Sequence, residues 1–180
     1  MASKGKYYES QFEEATIELL RESRWQYTLG DDIHRKYTDP LIEDDLRSFL
    51  AAQYKDKHLT DAEVDSIAAN LRNVGGPNDY YALQNTFLLY RDGFDFTYSD
   101  GRDNPFRLQY IDFEHPDHNI FRFVNQFVME QGRENRRPDI LLFINGIPVC
   151  IIELKSPTKQ NATIRDAHTQ ICTRYMRDIP

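Results

Sequence analysis

"RRPDILLFINGIPVCIIELKSP", residues 136–157, is the stretch on which the reading of this chain turns. Two apolar runs, "DILLFI" and "VCIIEL", flank Asn145-Gly146, a strong signal for a tight β-hairpin turn. The runs are continuous, not alternating. That pattern predicts strands covered on both faces, central in a sheet with helices on each side, and a buried thiol at Cys150. Charges sit at the open end of this hairpin: Asp139 where the first strand starts, Glu153 and Lys155 where the second one stops. Ionised groups on central strands are costly unless they are paired or bound to a metal. Glu153 and Lys155 are two apart and so share a face. Two carboxylates and an ammonium are therefore expected to converge at one sheet edge. A hard divalent ion would offset the carboxylate repulsion, and Mg²⁺ commonly takes one or two protein carboxylates plus water and phosphate. The lysine adds positive charge suited to an oxygen-rich transition state.

Strand parity constrains this expectation. A strict two-residue Asn-Gly loop pairs Ile144 with Ile147, and hence Asp139 with Ile152, which would turn Glu153 to the opposite face. Convergence then requires one irregularity, a three-residue loop or a bulge. Pro148, which cannot donate to the ladder, makes the turn the expected place for it. The structural alternative is a strand-start Asp and an exposed Glu–Lys pair at a strand end.

Working outward, "SQFEEATIELLRES" reads as an amphipathic helix with Phe12, Ala15, Ile17, Leu19 and Leu20 on one arc. Glu13 falls inside that arc, either at the core rim or facing a polar site. "WQYT" reads as a short strand. Residues 39–93 read as a helical block of three helices. The first is expected to start at Asp39 and Pro40, and the second carries a Thr60–Glu63 capping box. The third is "YYALQNTFLLYRDG". From residue 94 onward the chain turns aromatic and β-branched, so "FRLQYIDFE" and "NIFRFVNQFVMEQG" read as strands. "EHPDHN" between them is a turn. Its His115 and His118 form an H-x-x-H with no third ligand evident nearby, too few for a zinc site. A final helix is expected from Ile164 to Asp178.

The 180 residues suit one domain, residues 1–180, with the helical block at 39–93 and a catalytic sheet and following helix at 94–180. No apolar run reaches the length of a membrane span, and "MASKGKYYES" has no apolar segment of a secretory signal, so a cytoplasmic location is expected. No G-x-x-x-x-G-K-[ST] is present, which excludes a P-loop ATPase within these residues. The net charge is −7, but residues 131–180 carry +3 and the remainder −10. A basic C-terminal part suits local contact with phosphate, though a solvated charged surface reads the same way.

Pro138-Asp139, thirteen residues, then Glu153-Leu154-Lys155 resembles the PD-(D/E)-x-K nuclease motif. With "LQYIDFEHPDHNIFRFVNQF" and "DAHTQICTRYMRDIP" around it, the chain resembles the N-terminal nuclease domain of the restriction (R) subunit of type I restriction endonucleases. The resemblance is strong over residues 108–180, weaker over the first helix and faint over 39–93. It implies a restriction-endonuclease-like α/β fold, a central mixed β-sheet flanked by helices. It implies metal-dependent hydrolysis of DNA phosphodiester bonds, with Mg²⁺ as cofactor or Mn²⁺ in its place. Asp139 and Glu153 would bind the metal with the Leu154 carbonyl, and Lys155 would position water and stabilise phosphate charge. Glu13 would complete the site. A Gln-x-x-x-Tyr motif of the family would correspond to Gln170 and Tyr175, but these are five apart, about 140° around an α-helix and not 40°. The resemblance further implies double-stranded DNA and the methylation and specificity subunits as partners, and ATP acting only through a translocase beyond these residues. The chain thus looks like a fragment of a longer one. The rival readings are a catalytically silent DNA-binding or docking module on the same scaffold, and a repair or recombination nuclease.

Overall fold

The computed structural model describes residues 9–155 and 164–175, without the side chains of Glu9, Arg174 and Tyr175. The chain divides into two compact units. One comprises residues 1–40, 121–143 and 148–180, the other 41–120 and 144–147.

The first unit holds the main sheet. Helix α1 (Glu9–Glu22) leads into β1 (Gln26–Leu29), the short strand expected from "WQYT". Strand β4 (Phe121–Asn125) runs parallel to β1, from Gln26↔Arg122 to Leu29↔Asn125. Strands β7 (Ile140–Ile144) and β8 (Ile147–Ile152) complete the order β1-β4-β7-β8. Bonds from the Gln126 N–H to the Asp139 carbonyl and from the Asn145 N–H to the Ile120 carbonyl make β4 and β7 antiparallel, so the sheet is mixed. Phe123, Val124, Phe127, Ile140, Leu141 and Phe143 form the buried interior of this unit. Arg35 lies 3.5 Å over the Phe127 ring. Burial pulls its guanidinium down to about 10.

Several expectations change here. On α1 the covered positions are Phe12, Glu13, Thr16, Ile17 and Leu20, whereas Ala15 is exposed and Leu19 is 63% exposed. The covered arc is thus centred on the 13/17/20 side, and Glu13 belongs to it. "NIFRFVNQFVMEQG" is two strands, not one. Gln126 takes φ +58° and breaks the ladder, and β5 (Met129–Gln131) then pairs with β6 (Glu134–Arg136) as a separate hairpin. Strand β8 is an edge of the four-stranded sheet among the described residues. Its Val149 is 41% exposed and Cys150 is exposed, against the expectation of a covered strand and a buried thiol.

The second unit packs helices α2 (Glu43–Gln53), α3 (Asp61–Arg72) and α4 (Asp79–Asp92) with a two-stranded sheet, β2 (Phe94–Phe96) and β3 (Phe106–Leu108). Residues 94–120, expected with the catalytic sheet, belong here because their aromatics join the helical core. Phe96, Tyr98, Leu108 and Tyr110 are buried in one cluster with Leu46, Phe49 and Ile67. Helix α2 starts at Glu43 and not at Pro40, since Leu41 and Ile42 are buried and the Ile42 N–H is used by the Gly146 carbonyl at 2.9 Å. "FRLQYIDFE" stops being a strand after Leu108.

The capping box opens α3 as expected. Thr60 Oγ1 accepts the Glu63 N–H, and the Glu63 carboxylate accepts the Thr60 N–H at 2.8 Å. Glu63 is buried and also receives Arg102 at 2.5 Å. Arg102 is the main cause that holds its carboxyl at about 2, against an ordinary 4.5, with the Thr60 bonds adding to it and burial opposing. The folded-state value is depressed, so this stability is present above the unfolded value and is lost as pH falls through the folded one. Acid titration of the folded chain should therefore show a loss of stability from about pH 4.5 towards 2 that Glu63→Gln flattens. Identical acid profiles for the two proteins would refute this.

Candidate active site

Every residue of the candidate site belongs to the first unit. Pro138 and Asp139 enter β7 just where β4 ends, and the Asp139 carbonyl accepts the Gln126 N–H at 3.2 Å. The Asp139 side chain reaches the end of β8, where its Oδ2 accepts the Leu154 N–H at 2.7 Å. Asp139 is thereby placed within one residue of both Glu153 and Lys155. The Glu153 side chain is only 2% exposed. Its Oε2 receives Lys155 Nζ at 3.3 Å and Gln170 Nε2 at 2.9 Å. A carboxylate this deeply buried needs such partners, because desolvation of an unpaired charge is costly.

The irregularity that parity calls for is not in the turn. Asn145 (φ +52°) and Gly146 (φ +76°) form a regular two-residue turn with both residues left-handed, as a type I′ hairpin requires. The irregularity lies at the other end. Strand β8 stops at Ile152, and the Leu154 amide takes a side-chain carboxylate as its partner. Face alternation binds residues within the strand, and Glu153 to Lys155 have left it.

Glu13 is held by two side-chain amides. Its Oε1 accepts Asn125 Nδ2 at 3.2 Å and Gln126 Nε2 at 3.1 Å. Asn125 is 9% exposed, and its Oδ1 accepts the Tyr27 hydroxyl at 2.9 Å. Glu13 thus reaches the β4–β7 junction one residue from Asp139, through Gln126, while Glu14 is exposed. Asn125 and Gln126 were missed as site residues. The available signal was an adjacent pair of amides interrupting the aromatic run "FRFVNQF".

The final helix is composite: α5 (Ile164–Thr169) passes into a π-helical turn at Gln170–Tyr175. A π turn closes i→i+5 bonds. Positions 170 and 175 are therefore about one turn apart along the backbone, where a uniform α-helix would set them about 140° apart. The Tyr175 side chain and the end of the expected helix at Asp178 lie outside the described residues. Of the basic residues in the C-terminal part, Arg133, Arg137 and Arg165 are exposed, whereas Lys159 and Arg177 lie outside the described residues.

A mixed sheet flanked by helices, with Asp139 and the Glu153–Lys155 pair at the open end of its hairpin, defines an α/β fold of the restriction-endonuclease-like class. Residues 6–180 match the family described as type I restriction enzyme R protein N terminus, and the chain belongs to that family. It is 30% identical over 178 residues to the "Putative type I restriction enzyme MjaIXP endonuclease subunit" of Methanocaldococcus jannaschii, covering 93% of this chain and 17% of that protein. It is 29% identical over 177 residues to the type I restriction enzyme HindI endonuclease subunit of Haemophilus influenzae, covering 92% of this chain and 16% of that protein. The chain thus spans about one sixth of the length of these relatives. Among the described residues no helix is long and apolar enough to cross a membrane.

Proposed function

We propose that this chain is the metal-dependent nuclease domain of a type I restriction enzyme R subunit and hydrolyses DNA phosphodiester bonds. The observation that carries the reading is the buried Glu153 carboxylate, braced by Lys155 and Gln170 and joined through Leu154 to Asp139. The donors suit a hard cation: two carboxylates and the adjacent Leu154 carbonyl, all oxygen, with the acids already oriented by N–H donors. Mg²⁺, or Mn²⁺ in its place, would be held by Asp139, Glu153 and Leu154. When bound it supplies a water of lowered pKa and a clamp on the scissile phosphate.

The chain's own residues do the rest. Lys155 is 23% exposed, so its ammonium can face a phosphate oxygen while staying in contact with Glu153. Gln170 fixes the Glu153 carboxylate from the following helix, its Nε2 donating to Glu153 Oε2 at 2.9 Å. Glu13, Asn125 and Gln126 position the start of β7 and hence Asp139. The exposed Arg133, Arg137 and Arg165 supply phosphate contacts along double-stranded DNA. Methylation and specificity subunits, and an ATP-driven motor elsewhere in the full-length protein, are the partners this reading assigns, in the cytoplasm where the DNA is.

Titrating Mn²⁺ into the full chain, followed by water-proton relaxation, tests the metal assignment. One site is expected, with affinity reduced at least about tenfold in Asp139→Asn and in Glu153→Gln. Unchanged binding in the double variant would remove these residues from the metal site.

A further inference from the structure

The loop between β3 and β4 carries a second constellation, unrelated to the proposed nuclease site. Asp112, His115 and His118 are the one group of three His, Cys, Asp or Glu side chains among the described residues whose ligand atoms all lie within 4.8 Å of one another. The third ligand missing from the H-x-x-H is thus an acid three residues earlier, hidden in a stretch that reads as a strand. His118 Nδ1 is 3.0 Å from Asp112 Oδ2 and His115 Nδ1 is 3.6 Å from the same oxygen. The two imidazoles stack at 5.0 Å with 19° between their planes, so both present the same ring edge to one carboxylate oxygen.

Gln53 Nε2 and His118 Nδ1 both lie 3.0 Å from Asp112 Oδ2, while His115 Nδ1, at 3.6 Å, faces the same oxygen from beyond hydrogen-bond distance. Two ligands about 2.0–2.1 Å from one tetrahedral ion lie roughly 3.3 Å apart, and the observed 3.0 and 3.6 Å bracket that spacing. The carboxylate is fixed in advance, since Oδ1 accepts the Glu114 and His115 N–H groups at 3.0 and 2.8 Å. The loop is pinned as well: Asn119 accepts the Asp112 N–H and donates to the Asp112 and Pro116 carbonyls. Asp112 is 6% exposed while His115 and His118 are 63% and 56% exposed, which gives an ion a route in and an open fourth position.

We propose that Asp112, His115 and His118 form a binding site for a first-row transition-metal ion of the zinc type. Imidazole nitrogens beside one carboxylate favour Zn²⁺, Co²⁺ or Ni²⁺ over Mg²⁺ and Ca²⁺, which prefer all-oxygen shells. Gln53 is the outer partner that orients the acid.

Calorimetric titration of Zn²⁺ into the full chain tests this, in the Asp139→Asn/Glu153→Gln background so that the nuclease site does not contribute. One Zn²⁺ per chain is expected there. His115→Ala and His118→Ala, both at exposed side chains, should each weaken binding at least tenfold. Gln53→Ala should weaken it about 10–100-fold. Co²⁺ should give visible absorption bands that vanish in the His115→Ala/His118→Ala double variant. No Zn²⁺ uptake in this background, or uptake unchanged in the double histidine variant, would overturn the proposal. Neither result bears on the nuclease assignment, whose own test uses Mn²⁺ and different residues.

Discussion

Asp139→Ala and Lys155→Ala in the full-length protein are expected to abolish DNA cleavage, a loss of at least about 10²–10³-fold, while ATP hydrolysis and the fold persist. Asp139 is the acid at the start of β7 and Lys155 the cation beside Glu153, so each removes a charge that the proposed chemistry needs. The control is Asp139→Asn. Asparagine keeps an acceptor for the Leu154 N–H at 2.7 Å, so it preserves the local structure and removes only the negative charge. Loss of cleavage in both Asp139 variants, with unchanged melting of Asp139→Asn, assigns the effect to charge. Glu13 and Glu14 extend the series. Glu13 sits on Asn125 and Gln126, whereas Glu14 is exposed. Glu13→Gln should therefore slow cleavage about tenfold or more and Glu14→Gln should leave it at the wild-type rate. Cleavage surviving Asp139→Ala or Lys155→Ala in the assembled complex defeats the nuclease reading. Wild-type rates for both glutamate variants remove Glu13 from the site.

Gly146→Ala is expected to cost about 3–4 kcal/mol of stability. Gly146 has φ +76°, and a Cβ there would lie 2.1 Å from the Ile42 carbonyl oxygen, a backbone atom that cannot swing aside. The left-handed conformation alone costs an alanine about 1–2 kcal/mol. Relieving the clash also strains the 2.9 Å bond from the Ile42 N–H to the Gly146 carbonyl. For a chain of this length the melting temperature should fall by roughly 10 °C. Asn145→Ala should approach the same effect by another route. The Asn145 amide donates to the Tyr110 carbonyl and Asn119 Oδ1, both at 2.8 Å, and accepts the Ile120 N–H at 2.7 Å. Leaving such buried groups unsatisfied costs about 1–3 kcal/mol each. A drop of under 2 °C in Gly146→Ala would show that the turn can shift at little cost.

The sequence by itself determined the hairpin, its Asn-Gly turn, the α3 capping box, the charged triplet and the family. Each is a local signal: turn conformation, cap chemistry and apolar runs act over a few residues. What Asn145 does was not legible, because a turn-forming asparagine and a buried anchor for Tyr110, Asn119 and Ile120 have the same letters. Nor was the exposure of Cys150. A continuous apolar run cannot show by itself whether its strand is central or at an edge, and the sheet order that puts β8 at an edge among the described residues is non-local. Where the ladder ends was not legible either: strand β8 stops at Ile152, and the Asp139 carboxylate takes the Leu154 amide there, so Glu153 lies beyond the strand parity that the hairpin sets. Glu13 lies on the helical arc that the sequence shows, but its amide partners come from the end of a strand more than a hundred residues later. Asp112 joins His115 and His118 only once the backbone after Leu108 leaves the strand and folds its amides onto the carboxylate. Short-range chemistry therefore fixed the elements and the candidate groups. Sheet order, strand ends and loop closure, set by packing across distant segments, decided which of those groups meet.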